Sequence, residues 1–530
     1  MRRFGSRSGW VLLLLSLVTS PSPARAAGVT LITHGLNGNV DGWVTGMADR
    51  IPNYSRFPGT NFSNYTLSFV PNGSGYLLTA ARVSVSPPAS TESGEIILKL
   101  DWSQLADGNS YDTYQVTAAV LPALLSTNFL PEFSGHAIAE LPLHLIGHSR
   151  GGSLICELSK QLGTNGIWVD HLSTLDPHPL NNDGFDLDIF LYSAVDAPAR
   201  TYSNVLFHDN YWQNIDTFIY GEPVAGAYVR RLTNLTGGSG GLGGAHSDVH
   251  LWYHGTLDWL VPATDTETTL GASERNTWWA ATEGQGTNAG FNYSLIGGSD
   301  RLSVAQPLGS GTAAIRDGFN QMWDLGAGQS ANRTALPDNS GNWPNLVRIN
   351  RVSTNQVVQG QSTPLKVYYQ WAQPVTSSAK VSFYLDDDLN PLNGNETFLG
   401  QLNVPGTEAS AVSNLVVNVE LSAANASPGR HSLFAKINAG GQQRYLYAPE
   451  LVEVLSSQQP PTMDIAQISP SQIRIGMTGL PGQTLILQAS PNLQTWQSIA
   501  TNTLSAGTWT YTNAVSPSNG REFYRAVFAN

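Results

Sequence analysis

The chain has 530 residues, roughly three domains' worth, and is 41% hydrophobic with 14 Trp, 19 Tyr and 17 Phe, a composition that excludes a disordered protein. Its 27 basic and 39 acidic side chains give a net charge of −12, which argues against nucleic acid and anionic membrane surfaces as partners. The single cysteine, Cys156, excludes an intramolecular disulfide.

Residues 1–26 read as a secretory signal peptide. Arg2, Arg3 and Arg7 form a basic start, Trp10 to Val18 an apolar run, and Ala24-Arg25-Ala26 a cleavage site. The run is too short to remain as an anchor, and no second apolar stretch of spanning length follows, so no transmembrane segment is expected in the mature chain. Four arginines leave with the peptide, taking the net charge from −12 to −16. Export without disulfides points to the bacterial periplasm or the extracellular space.

From about 27 to 260, apolar runs alternate with helix-like segments, the pattern of an α/β domain, and residues 27–345 are expected to form the first folded unit. Its first strand, Val29 to Thr33, runs into His34-Gly35-Leu36. A second apolar run, Leu143 to Ile146, ends in Gly147-His148-Ser149-Arg150-Gly151, and a helical pattern follows over Ser153–Leu162. Strand, G-x-S-x-G and helix together are the context of a nucleophile elbow, with Gly147 and Gly151 permitting a tight turn that presents Ser149. In such an elbow the oxyanion hole takes one N–H from the residue after the nucleophile, Arg150, and one from an early strand's exit loop, Leu36. Cys156, on the helix behind Ser149, reads as a small buried residue.

Asp176 is the choice for the triad acid, with Asp209 as the alternative. Asp176 follows the strand beginning at Trp168, and Asp209 follows the strand beginning at Asn204. The aromatic residues between and just after them, Phe185, Phe190, Tyr192, Tyr211 and Trp212, are candidates for a pocket wall, a lid or ordinary core. The base comes after the glycine run 237–244: His246 at the entrance to a short helix, with His250 as the alternative. His246, His250 and His254 share a helix face at i, i+4 and i+8, but no Glu lies between them as a zinc-hydrolase helix requires, so no metal and no other cofactor is expected.

Residues 265–345 read as an irregular closing segment with one helix near Ala313–Trp323. From 346 to 456 strand alternation takes over, as in an immunoglobulin-like sandwich, with strands at Leu365–Tyr369, Val381–Tyr384, Leu415–Val419 and His431–Ala435. The run Asp386 to Pro391 fails the EF-hand pattern, with Pro391 where Gly is needed and Thr397 where Glu is needed, and reads as a solvated turn. Ser456 to Pro461 is a linker, and 461–530 a small β module.

The order Ser149, Asp176, His246, with His34-Gly35-Leu36 ahead, resembles the α/β-hydrolase superfamily, and more narrowly its lipase-like branch with the acid after strand six. Leu175-Asp176-Pro177 and the seven-residue step from His246 to Tyr253 carry the narrower likeness, while the disulfides and a clear calcium loop of the animal lipases are missing; Asp183, Asp186 and Asp188 are a poor substitute for the latter. The C-terminal half is similar to the β-sandwich appendages of exported bacterial proteins. The resemblance implies a fold of α/β class, an α/β-hydrolase domain followed by two all-β domains. It implies a secreted serine hydrolase that cleaves carboxylic esters of small-molecule or lipid type through an acyl-enzyme. Other bonds remain open on the same fold, in a peptidase, amidase or polyester depolymerase. A non-catalytic surface or carbohydrate-binding protein, engaging a polymer through its β modules, is the reading from a different class.

Overall fold

The computed structural model describes residues 27–53, 62–83, 96–130, 133, 135–182, 191–216, 219–257, 270–279, 290–294, 333–337, 341, 343–351, 356–371, 375–406, 413–420, 426–448, 451–456, 460–515 and 521–529. The signal peptide, the expected helix near Ala313–Trp323, the acidic positions Asp183, Asp186 and Asp188, and Phe185 and Phe190 lie outside the described residues.

Eight strands build the first sheet: β1 Val29–Thr33, β2 Ser63–Asn72, β3 Gly75–Arg82, β4 Ile96–Asp101, β5 Leu143–His148, β6 Val169–Leu175, β7 Val205–Trp212 and β8 Tyr228–Arg231. They lie in the order β3-β2-β4-β1-β5-β6-β7-β8. β2 and β3 form an antiparallel hairpin, and every other neighbouring pair is parallel. Alternation along the central strands splits two cores. Leu31, Leu98 and Leu145 face one side, with Val116, Val120 and Leu124 of helix α2 (Thr113–Leu125) and Leu154, Ile155 and Leu158 of α3 (Arg150–Thr164). Ile32, Ile97 and Ile146 face the other, with Val44 and Met47 of α1 (Trp43–Arg50) and Val249, Trp252 and Tyr253 of α4 (Gly244–Leu257). A short α5 (Ala272–Trp278) closes this side. No helix among the described residues is long and apolar enough to cross a membrane.

The expected fold class needs correction. The structure is mostly β, 42% strand, with 23 strands and five α-helices among the described residues. Regular strand–helix alternation fails at β2 and β3, which are joined directly as a hairpin, and between β7 and β8, where no α-helix lies among the described residues.

The C-terminal β domains do form. A sheet ordered β10-β17-β15-β12-β13, with β16 on β15, faces a second ordered β14-β11-β9. The first comprises β10 Gln356–Val358, β12 Ala379–Asp386, β13 Thr397–Val404, β15 Gly429–Ala439, β16 Gln442–Tyr447 and β17 Val452–Leu455; the second comprises β9 Asn345–Arg351, β11 Ser362–Gln370 and β14 Ser413–Glu420. One core, including Ile349, Val367, Phe383 and Ile437, joins the two. The last module packs two three-stranded sheets from 462–528 around Ile475, Met477, Leu485 and Leu487. In the turn that follows Asp386, Asp387 and Asp388 are exposed, whereas Asp386 itself is buried and accepts a hydrogen bond from the Tyr447 hydroxyl at 2.5 Å. Burial raises the Asp386 carboxyl to about 6.

The sandwich is not a separate bead. Phe434, Tyr445 and Tyr447 join the core that α2 and α3 also line. Arg444 is buried there, donating to Asp170 Oδ2 at 2.7 Å and to the carbonyls of Ala139 and Trp168 at 3.1 and 3.2 Å. Gln443 reaches Glu140 at 2.9 Å. Replacing Arg444 by Met leaves the Asp170 carboxylate buried without its guanidinium, so a loss of about 3–5 kcal/mol is expected in urea unfolding. The paired variant Arg444→Met with Asp170→Asn should recover much of it; a loss below about 1 kcal/mol in the single variant would contradict the buried pair.

Candidate active site

Ser149 stands between β5 and α3 at φ 57° and ψ −128°, outside the helical geometry that begins at Arg150. A non-glycine residue at positive φ is strained and is held only where its surroundings force it. Here the Ser149 N–H donates to Leu175 O at 2.9 Å, and the Ser149 carbonyl accepts from the Gly152 and His178 N–H groups. Gly147 and Gly151 allow the turn to close: a Cβ on Gly147 would stand 2.3 Å from Gly151 O, and one on Gly151 2.3 Å from His34 O.

The structure brings Asp176 and His246 together. β6 ends at Leu175, and Asp176 follows at φ 43°. Its buried carboxylate accepts from His246 Nδ1 at 2.7 Å, Gln213 N–H at 2.9 Å, Gln213 Nε2 at 2.8 Å and Gly221 N–H at 3.0 Å. Four donors occupy the acceptor positions of an ionised carboxylate. An acceptor-only partner requires the His246 proton on Nδ1, which leaves Nε2 free to accept one. His246 lies in the first turn of α4, and its ring lines the same pocket as Ser149.

Asp209 is elsewhere. β7 continues to Trp212, so Asp209 lies inside the strand, in register with Ser173, and binds His171 at 2.8 Å, Ser173 at 2.5 Å and Tyr211 at 2.9 Å. His250 lines the pocket, where it stacks on Trp43 at 4.6 Å. His254 is fully buried, and among the described residues no group of three metal-ligating side chains is arranged to hold an ion. Burial pushes the Cys156 thiol up to about 12, which leaves it unsuited as a nucleophile at neutral pH.

The pocket is about 560 Å³. Leu36, Trp43, Leu180, Tyr192 and Ile219 give it apolar walls, Leu191 and Leu242 are exposed on it, and His34, His178 and Asn37 add polar atoms. Among the described residues its lining includes no Lys, Arg, Asp or Glu. Of the aromatic candidates Tyr192 lines it, whereas Tyr211 is buried in the sheet and Trp212 lies under Arg231. Leu36 and Arg150 flank Ser149, and among the described residues no hydrogen bond takes up either backbone N–H. Sequence reasoning missed Gln213, Gly221 and His178; none carries a spacing signal, because each reaches the site through a loop after a strand.

His148, beside the nucleophile, donates from Nε2 to the His246 carbonyl, 2.9 Å away, so Nε2 carries the proton. Burial first, then the neighbouring His246 and His250, holds His148 well below the usual histidine value of 6.5. Burial does the same to His144 and His208. These rings stay neutral in the folded chain but protonate below 6.5 when it unfolds, so the unfolded state binds more protons as the pH falls. Stability is therefore expected to be full above pH 6.5 and to drop below it, each ring contributing on the order of 1 kcal/mol per pH unit. Urea midpoints at pH 7.5 and 5.5 check this, and equal midpoints would contradict it.

Known proteins give the chain no family. No protein family matches it, and no curated protein matches it. Similar solved structures include the C-terminal domain of wzt (10% identity, 21% of this chain and 73% of that one, TM-score 0.17). Others are a CARDB domain from Pyrococcus furiosus (13%, 22% and 96%, TM-score 0.15) and the human OSCAR ligand-binding domain (11%, 35% and 88%, TM-score 0.18). Scores this low carry no argument about activity. The resemblance to the α/β-hydrolase superfamily and its lipase-like branch is thus corrected: the chain is mostly β, and neither a family nor a curated protein matches it.

Proposed function

We propose that this chain is an exported serine hydrolase that cleaves carboxylic esters with Ser149, His246 and Asp176. The observation that carries the reading is the 2.7 Å contact between His246 Nδ1 and Asp176, made in the pocket that also holds the strained Ser149. His246 Nε2 takes the Ser149 proton as Oγ attacks the ester carbonyl, and returns it to the leaving alcohol. Asp176 keeps the ring's tautomer and stabilises its cation. The Leu36 and Arg150 N–H groups receive the oxyanion, and water then releases the acid from the acyl-enzyme. The apolar walls from Leu36, Trp43, Leu180, Tyr192 and Ile219 suit an ester with an apolar acyl group.

A second reading, a surface-binding protein without turnover, draws on the two β domains that fill most of 345–528. Hydrolysis of p-nitrophenyl esters of graded chain length, beside anilides, separates the two. Ester turnover lost in Ser149→Ala supports the hydrolase, faster anilide turnover makes it an amidase or peptidase, and polysaccharide binding without any turnover supports the second reading.

A further inference from the structure

The geometry points to Asp196 as a positioning residue that, through the Arg150 side chain, fixes both donors of the oxyanion hole. This rests on the hydrolase reading. Arg150 offers its backbone N–H to the oxyanion, yet its side chain is fully buried and turned away from the pocket lining. Nε and Nη2 donate to the two oxygens of Asp196 at 2.7 and 2.9 Å, and Nη2 also reaches the Tyr111 carbonyl. Asp196 accepts two further bonds, from the Thr113 N–H at the start of α2 and from the Leu180 N–H beside the pocket, at 3.0 and 3.1 Å. Its carboxylate thus ties the nucleophile helix, α2 and a pocket loop together.

The same guanidinium lies 5.1 Å from the Trp102 ring centre. Trp102 donates its backbone N–H to His34 Nε2 at 3.2 Å and its indole N–H to the His34 carbonyl at 3.1 Å, and the two rings stack. His34 precedes Gly35 and Leu36, and its Nδ1 donates to the Gly35 carbonyl at 2.9 Å. One buried chain, Asp196–Arg150–Trp102–His34, therefore joins the residue carrying one oxyanion donor to the loop carrying the other. A fork of two parallel N–H bonds fixes direction as well as distance, which a single point charge does not. A displacement of about 1 Å in a reacting group can lower a rate 10²-fold.

The test compares wild type, Asp196→Asn and Arg150→Lys with an ester substrate and a substrate-shaped trifluoromethyl ketone. Ser149 Oγ adds to the ketone carbon, its proton passes to His246, and the carbonyl oxygen becomes the bound oxyanion. Complete titration with a fluorophosphonate counts folded sites in each sample. We expect kcat per site to fall about 10²-fold in Asp196→Asn and about 10-fold in Arg150→Lys. KM should stay within about threefold, and ketone affinity should weaken in step with kcat, as loss of a bond made only to the oxyanion requires. A folded Asp196→Asn with unchanged kcat, a change in KM alone, or a fall in kcat without loss of ketone affinity would each overturn the proposal. Should Asp196→Asn not fold, Arg150→Lys decides by the same readings. A wild type that neither turns over esters nor takes the fluorophosphonate overturns the hydrolase reading itself, an outcome separate from these.

Discussion

Asp176→Asn is expected to lower kcat about 10⁴-fold, while Asp209→Asn leaves it within about tenfold. An amide at 176 can still meet His246 Nδ1, but as a donor it selects the tautomer with the proton on Nε2, which can no longer accept from Ser149. The Gln213 and Gly221 N–H groups, which converge on the carboxylate oxygens, would then face the new NH₂ or lose a partner. KM should change little, since Asp176 is buried and absent from the pocket lining. Asp209 serves a different network, with His171, Ser173 and Tyr211, so its replacement should lower the unfolding midpoint rather than the rate. Steady-state kinetics on both variants, with a urea curve for each, checks the pair. Equal kcat losses would dissolve the distinction.

Ser149→Ala is expected to remove turnover by a factor on the order of 10⁶, the scale seen when a triad nucleophile is deleted. What remains would come from the oxyanion donors and the pocket, which the alanine leaves in place. The variant should fold, because the Ser149 bonds to Leu175, Gly152 and His178 run through its backbone, which alanine keeps. Relief of a strained serine is not expected, since alanine would inherit the same positive φ. A double variant with Asp176→Asn should lose no more than Ser149→Ala alone, because the two side chains act as one unit. Additive losses would mean that they act separately.

Much of the site was legible because its residues sit where regular elements end. An apolar run, two glycines around a serine and a helical pattern gave β5, Ser149 and α3. The glycine run before His246 marked a turn into a helix, although α4 proved long, from Gly244 to Leu257. The choice between Asp176 and Asp209 was not legible. Both follow buried apolar strands, and only the extension of β7 to Trp212 shows that Asp209 lies within the sheet. Arg150 read as a backbone donor alone, because nothing in the sequence links it to Asp196, 46 residues away.

The class of the fold was read wrongly for a related reason. Alternating apolar runs suggested a helix after each strand, but β2 runs straight into β3 as a hairpin, β7 leads to β8 without a helix among the described residues, and strands dominate the chain. The sandwich strands were visible from period-two alternation. Their attachment was not: Gln442–Tyr447 looks like an ordinary exposed hairpin strand, yet Arg444 is buried against Asp170 at the far end of the strand that leads to Asp176. Long-range burial of a charged side chain leaves no local pattern.

The nucleophile is the centre of the account, and the most direct measurement is a peptide map after reaction with a fluorophosphonate. Attack by Ser149 Oγ on phosphorus expels fluoride and leaves a stable phosphonyl ester on that residue. The account predicts one adduct per chain, on the peptide containing Ser149, absent from Ser149→Ala and strongly slowed in Asp176→Asn. No adduct on native wild-type protein, or an adduct on another residue that persists in Ser149→Ala, would contradict it.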